Sequence, residues 1–492
     1  YLKHRNLRYR IIGTKSLRGV KMNKKKVDLL LINPPFHRRN GSGSIFPLGL
    51  GYIIAAAKKE GYTCDVINGY SMIDSYANES LSDFEIKLQN LLETYDPVLV
   101  GIGPCITTQL RALQIIARCC LTIYGDDRVY AGGPLASIDG QEWLFFELLR
   151  IRYIVKGDGE EAICQMIRCL KNGGSLAQCN YVSRSGYLYR NEVADINKLA
   201  FPERPYLMEN VFSLRRKHND SVLSASMVTS RGCKYRCHYC VSGNMNYQKF
   251  RKRSNANIVA EMQFLATNYQ INDIIFYDDC FFSNPESIYQ DVSDFCTALI
   301  ERNLSLTWQM ELRCDAFLRL REIDFVLLKN AGCRQINLGI EKTYVAGLQK
   351  LGKNIPLHGL AEHIKFMKDC SGIQAAGTFI LGGKNETETE VLEVIEKSTT
   401  LNLDFAHYNP LFVYPGTPLY KEYFTNDISE RKWVDYLLKD SWPWGEIVYE
   451  NENLSREMIL NLTEKAYERF YADSPYKDNE MVKDRFRLGI SI

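Results

Sequence analysis

The sequence predicts an α/β protein made of two parallel sheets in series, and three observations predict it. Short apolar runs alternate with helix-period stretches over residues 27–171, and a second such series occupies residues 221–416. The apolar runs are near-continuous, as expected of strands covered on both faces. At 492 residues the chain exceeds what one ordinary core supports.

In the first series, "VDLLLINPP" (27–35) reads as a buried strand and "PLGLGYIIAAAKKEGY" (47–62) has helix period. "CDVING" is the next strand, "DFEIKLQNLLETY" a helix and "PVLVGIGPC" (97–105) the third strand. A helix over 107–122, the strand "RVYAGGP" (128–134), a helix near 141–150, the strand "YIVKGDGEEA" (153–162) and a helix over 161–171 complete it. Five such units make a doubly wound, Rossmann-like domain of flavodoxin-like type, assigned to residues 25–175. Ligands of such sheets sit beyond the C-terminal strand ends, at the switch point. The residues there are Asn33 and Pro34, then Gly101 and Gly103, Gly132 and Gly133, and finally Gly157, Asp158 and Gly159. Glycine at a strand end admits close approach of a ligand, although a tight turn needs it too. Four such ends on one edge point to a bound cofactor. No G-x-G-x-x-G follows the first strand, which disfavours a dinucleotide.

Residues 176–220 read as a linker. The second series then runs "SVLSASMVTSRG", helix 255–269, "INDIIFYDD" (271–279), helix 285–303, "LTWQMELRCD", the helix "IDFVLLKNAG" and "CRQINLGIE". Helix 357–370, "IQAAGTFILGG", helix 387–401 and "DFAHYNPLFVYPG" follow. Six βα units predict a partial (β/α)6 barrel of TIM type over 221–425, with its chemistry at the C-terminal strand ends. Residues 426–492 read as a short helical tail, clearest at "SREMILNLTEKAYERFY".

Bulk properties narrow the function. The net charge of +3 is too mild to argue for nucleic acid, and no run of eighteen apolar residues suggests a membrane span. The basic stretch 1–24 lacks the pattern of a secretory signal, and Met22 is a plausible natural start. Fifteen cysteines without such a signal read as reduced thiols in a cytoplasmic protein. Most are isolated among apolar neighbours and read as small buried hydrophobes.

Cys233, Cys237 and Cys240 are the exception. In "SRGCKYRCHYC" (230–240) they fall within eight residues, directly after the first barrel strand. Thiolates at this density hold a soft metal. Three of them on a 4Fe–4S cluster leave one iron without a protein ligand, and an open position is the mark of a reactive metal site. A zinc site recruiting His238 or a distant residue is the competing reading, but His238 lies between two of the cysteines.

The spacing C-x-x-x-C-x-x-C, with Tyr239 before the last cysteine, resembles the radical S-adenosylmethionine (SAM) superfamily. The resemblance extends over "FYDDCFF", "RCDA", "GIEK", "GTFILGGKNET" and "YPGTPLY". It implies that the cluster passes an electron to SAM at the free iron, giving a 5′-deoxyadenosyl radical. It further implies that Asp278 and Asp279 hold the methionine amino group, Glu341 the ribose or methionine, and that Tyr239 packs on adenine; Arg313 lies at the third strand end. An external one-electron reductant, of flavodoxin or ferredoxin type, is implied as a partner. Each acid also admits a plainer reading, as a helix cap or a surface pair.

A doubly wound domain ahead of such a barrel resembles the cobalamin-binding domain of the cobalamin-dependent radical SAM class. "INPPF…PLGLGYIIAAAKKEGY", "VGIGPCITTQLRAL", "AGGP" and "KGDGEEA" carry that similarity. Thr107 and Thr108 then become candidates for the corrin amides, or helix caps. The Asp-x-His-x-x-Gly ligand of many cobalamin domains is absent. The one histidine in this domain, His37, does not match it, so no histidine is expected below cobalt. The implied function is C-methylation of an unactivated carbon, via methylcobalamin, in a small molecule or natural-product intermediate. Radical cyclisation or oxidation, with or without cobalamin, and a zinc-containing nucleic-acid binder using "QKFRKR" are the alternatives.

Overall fold

The computed structural model describes residues 23–35, 47–72, 81–204, 222–244, 249–424, 432–435, 437–438 and 448–476. Residues 1–22 of the basic stretch, His37 and the side chain of Thr108 lie outside the described part. Two six-stranded sheets follow one another along the chain.

The first contains β1 (Lys25–Asn33), β2 (Cys64–Asn68), β3 (Tyr95–Ile102), β4 (Val129–Gly132), β5 (Tyr153–Gly157) and β6 (Arg190–Asn191). Their order is β2-β1-β3-β4-β5-β6, all parallel. The order reverses between β1 and β3, the flavodoxin-type switch point. Helices α1 (Leu48–Lys59), α2 (Leu81–Leu92), α3 (Leu110–Tyr124) and α4 (Glu160–Lys171) cover the sheet. Strand β1 shows why its sequence is continuously apolar. Leu30 and Ile32 join a core with Phe84, Leu88 and Leu113, whereas Leu29 and Leu31 join another with Leu50, Ile54 and Met166. Successive side chains point to opposite faces, and both faces are covered.

Two expectations need correction. The helix near 141–150 is only a π-helical turn, Leu144–Leu148. The stretch read as linker contributes β6, which pairs with β5 through Lys156↔Arg190 and Gly157↔Asn191. Two residues are too few to carry a period.

The second sheet comprises β7 (Ser224–Met227), β10 (Asp273–Phe276), β11 (Thr307–Arg313), β12 (Cys333–Glu341), β13 (Gln374–Leu381) and β14 (Phe405–Pro410). Neighbours in sequence are neighbours in the sheet, and all pairs are parallel, which is a partial barrel. Strands β8 (Ser230–Arg231) and β9 (Arg251–Lys252) form a separate antiparallel ribbon. Helices α5 (Asn255–Tyr269), α6 (Ile288–Glu301), α7 (Glu322–Asn330), α8 (Leu360–Ser371) and α9 (Glu388–Ser398) line the chain between and after the strands.

Helix α10 (Arg456–Tyr471), in the tail, packs on β14. There the Ala406 and Tyr408 amides donate to the hydroxyls of Tyr471 and Tyr467, at 3.1 and 3.2 Å. The tail thus satisfies an otherwise open edge of the sheet. Along β11, Trp308, Met310 and Leu312 are buried in the barrel core, whereas the alternate residues Gln309, Glu311 and Arg313 are polar. Trp308 meets Phe276, Phe281 and Phe295, with ring centroids 5.4 to 5.9 Å away.

The two units share a core. Ile102, Leu135 and Ile138 of the first cluster with Leu351, Leu411, Val413 and Leu419 of the second. Among the described residues, no helix is long and apolar enough to cross a membrane. Trp308→Ala is expected to remove about 3–5 kcal/mol of stability. A urea midpoint equal to that of the wild type would contradict this packing account.

Candidate active site at the facing strand ends

The three cysteines lie on the loop between β8 and β9, whose stem pairs Ser230 with Lys252 and Arg231 with Arg251. The neighbouring strand end fastens its base. Asp278, just past β10, accepts from the Thr229 amide at 2.9 and 3.0 Å, from the Thr229 hydroxyl at 2.9 Å and from the Ser230 hydroxyl. Burial pushes the Asp278 carboxyl up to about 6, against the pull of those hydrogen bonds. Both of its oxygens thus accept from the base of the loop. Asp279 is nearer the cysteines. Burial, and after it the Asp279 charge, holds the Cys233 and Cys240 thiols up, and the Ser242 hydroxyl donates to Asp279.

Inside the loop, Asn244 Nδ2 donates to the carbonyl oxygens of Cys237 and Cys240, at 2.6 and 2.8 Å. The Cys240 amide donates to the Cys237 carbonyl at 3.2 Å. A Cβ on Gly243 would lie 1.6 Å from the Tyr235 carbonyl oxygen, so the loop closes only on glycine. Sequence reasoning missed Gly243 and Asn244; their signal was a glycine and a side-chain amide just after the last cysteine. The His238 amide donates to Leu351 O at 2.8 Å, and the Leu419 amide donates to His238 O at 3.2 Å. His238 is thus fastened through its backbone to two other barrel loops.

Arg313 approaches the Cys237 sulfur at 3.8 Å, pairs with Asp315 through two bonds of 3.1 Å, and stacks on the Tyr235 ring at 3.6 Å. Burial, with the Asp279 charge added to it, pushes the Cys233 thiol up to about 11. Bound iron would supply the positive charge that favours thiolates there. Among the described residues, no three His, Cys, Asp or Glu side chains are grouped so as to share one metal ion. Zinc needs its ligands around one centre, whereas a four-iron cube takes each thiolate on a different iron. The donor set fits the cluster.

Glu341 ends β12 in the left-handed region, at φ 66°, where the pairing with β13 shifts register. Strain of this kind persists only where the surroundings fix it. Here the Tyr239 hydroxyl donates to Glu341 Oε1 at 2.9 Å and Lys353 Nζ donates to the same atom at 2.8 Å. The structure thus joins two residues that the sequence had assigned separately and adds Lys353, a buried ammonium with no motif to announce it. Burial and the Glu341 charge hold the Tyr239 hydroxyl well above its usual range. Glu311, on β11, was also missed. Asn337 Nδ2 donates to it at 2.9 Å, and burial pushes its carboxyl up to about 7.

At the strand ends of the first domain, Asn33 Nδ2 donates to Asn68 at 3.0 Å and Gln109 Nε2 donates to the Pro34 carbonyl at 3.0 Å. Several of the glycines are explained within the protein. Gly133 has φ 115°, and a Cβ there would lie 2.6 Å from the Cys105 nitrogen; Gly157 has φ 79°, and its Cβ would meet the Asn191 carbonyl at 2.1 Å. Gly101, Gly103 and Gly159 are likewise crowded by Tyr130, Gly132 and Ile53, and Gly132 has more room. Thr107 is buried, and Ile106 rather than a threonine takes the cap position of its turn. Asp158 is engaged within the protein: Arg231, Arg251 and the Val193 amide donate to its two oxygens. In the segment between β4 and β5, Gln141 Oε1 and Trp143 Nε1 are buried without a hydrogen-bond partner, polar groups of the kind that a ligand rich in amides can satisfy.

Residues 227–397 match the model of the Radical SAM superfamily. The chain carries a radical SAM domain, preceded by a flavodoxin-like domain. It is 25% identical, over 94% of its length and 95% of the relative's, to an "Uncharacterized methyltransferase PH0819" of Pyrococcus horikoshii. It is 23% identical, over 93% of its length and 80% of the relative's, to an anaerobic magnesium-protoporphyrin IX monomethyl ester cyclase of Rubrivivax gelatinosus. The methyltransferase TsrM of Kitasatospora setae, solved with cobalamin and a [4Fe-4S] cluster bound, superposes with a TM-score of 0.60 at 19% identity, covering 82% of this chain and 75% of TsrM.

Asn244→Ala is expected to at least halve the iron retained after anaerobic reconstitution, and full retention would contradict its role in closing the loop. Asp278 gives a pH test. Its folded value of about 6 lies above the unfolded carboxyl value of about 3.9. Its contribution to stability is therefore present below about pH 4 and lost as pH rises through about 6. Asp278→Asn should accordingly gain stability relative to wild type between about pH 4 and 6.5. Urea midpoints that track each other across that range would contradict the assignment.

Proposed function

We propose that this protein is a cobalamin-dependent radical SAM enzyme that methylates an unactivated carbon of a small molecule. The observation that carries the reading is a junction of strand ends: the stem of the barrel's cysteine loop meets Asp158 at the C-terminal end of β5 in the flavodoxin-like sheet, and the two domains share an apolar core. The methyltransferase relative spanning nearly the whole chain supports it. When bound, the cluster supplies the electron that splits SAM, and the corrinoid supplies the methyl group.

The chain's own residues bind and orient these groups. Cys233, Cys237 and Cys240 hold the cluster, with Arg313 beside Cys237. Asp279, Tyr239 and Glu341 surround SAM, and Lys353 fixes the Glu341 carboxylate. Asn33, Pro34, Gly101, Gly103, Thr107, Thr108, Gly132, Gly133, Gly157 and Gly159 border the corrinoid, together with Gln141 and Trp143. An external one-electron reductant of flavodoxin or ferredoxin type supplies the electron. The cytoplasm suits fifteen cysteines that form no disulfide.

The cyclase relative supports a second reading, in which the same architecture closes a ring. The mass of the product separates the two. The binding claim is tested by desalting anaerobically reconstituted protein after hydroxocobalamin has been supplied in excess. Near-stoichiometric corrinoid in both wild type and Cys233→Ala is expected; a wild type that absorbs only as an iron–sulfur protein would overturn the cobalamin assignment.

A further inference from the structure

We infer that Asp158 of the first domain is a positioning residue for the barrel's cysteine loop, acting through Arg231 and Arg251. The inference rests on the proposed function for its chemical consequence but not for its geometry. Arg231 and Arg251 are the last paired residues of the β8–β9 stem, and everything between them is the loop that carries Cys233, Cys237 and Cys240. Both arginines bind one carboxylate. Arg231 Nη1 meets Asp158 Oδ1 at 2.7 Å, and Arg251 Nη1 meets Asp158 Oδ2. Arg231 also pairs with Glu160 through its other nitrogen, and its guanidinium lies 5.0 Å from the Tyr52 ring. Arg251 further donates to the Val193 carbonyl. The two ends of the loop are therefore gripped at one point of the other domain, at the C-terminal end of β5.

The chemistry of the cluster argues for orientation over stability. Two arginines and two carboxylates balance in charge, and each side chain is at most 18% exposed. Buried ion pairs of this kind return little net stability, because desolvation offsets attraction. This one is not even complete: Glu160 Oε2 and Arg251 Nε are buried without a partner. What a fork-shaped guanidinium gains on a fixed carboxylate is direction. The shared apolar core holds the domains together without fixing their angle to the same degree, since apolar contact has no directional preference.

Under the proposed function the clamp sets where the cluster end of SAM faces the corrinoid. Misorientation by about an ångström costs on the order of 100-fold in rate. Asp158→Ala, on the first domain, and Arg231→Gln, on the barrel, should therefore behave alike. In the cofactor-free protein, amide hydrogen exchange at residues 229–231 and 251–253 is expected to rise at least tenfold in both. In reconstituted protein supplied with SAM, reductant and corrinoid, both should still form 5′-deoxyadenosine while methylcobalamin falls at least tenfold. Asp158→Glu should recover part of the loss. Unchanged exchange would overturn the clamp, and faster exchange with an unchanged ratio of the two products would overturn its positioning role. If the wild type itself makes no methylcobalamin, yet exchange rises in both variants, the clamp stands and the cobalamin reading falls.

Discussion

The structure depends on how one loop of the barrel is held. Nineteen residues separate Arg231 from Arg251, and among those described no strand gives the three cysteines a fixed place. Their position comes from groups outside the loop: Asp278 at the adjacent strand end, Leu351 and Leu419 on two other barrel loops, and Asp158 on the other domain. Each contact is made by a residue at or beyond the C-terminal end of a strand. That is where parallel sheets leave backbone free to turn, and where function collects in such folds. The cost is concentrated there too, in the left-handed Glu341 and the buried, partly unsatisfied charges around Asp158.

The polar side chains around the cysteines form a graded electrostatic field. Arg313 touches Cys237, while Asp279 bears on Cys233 and Cys240. Lys353 sits behind Glu341, so the carboxylate closest to Tyr239 is compensated, and Glu311 is left as a carboxyl that burial keeps easily protonated.

Much of this was legible in the residues. The strands of both sheets were readable because parallel strands buried on two faces give unbroken apolar runs, as in "VDLLLIN", and the helices between them because stretches such as α4 (Glu160–Lys171) bury one apolar face and carry charge on the other. The cysteine loop was readable because its chemistry is written in consecutive residues. What the sequence did not reveal was whatever depends on distant partners. Asp158 and Asp278 stand at strand ends as ligand-binding residues do, and only the fold shows that arginines 73 and 93 positions away, or a threonine 49 positions away, pair with them. Lys353 and Gln141 were invisible for the same reason, and β6 because two residues have no period.

The central claim is that one chain brings a cluster and a corrinoid to a common junction. Pulsed electron paramagnetic resonance of the reconstituted protein, with cob(II)alamin bound and the cluster reduced, measures this directly through the dipolar coupling of the two spins. The account predicts a resolved coupling with a single, narrow distance distribution. Two spins that behave as isolated centres would contradict it.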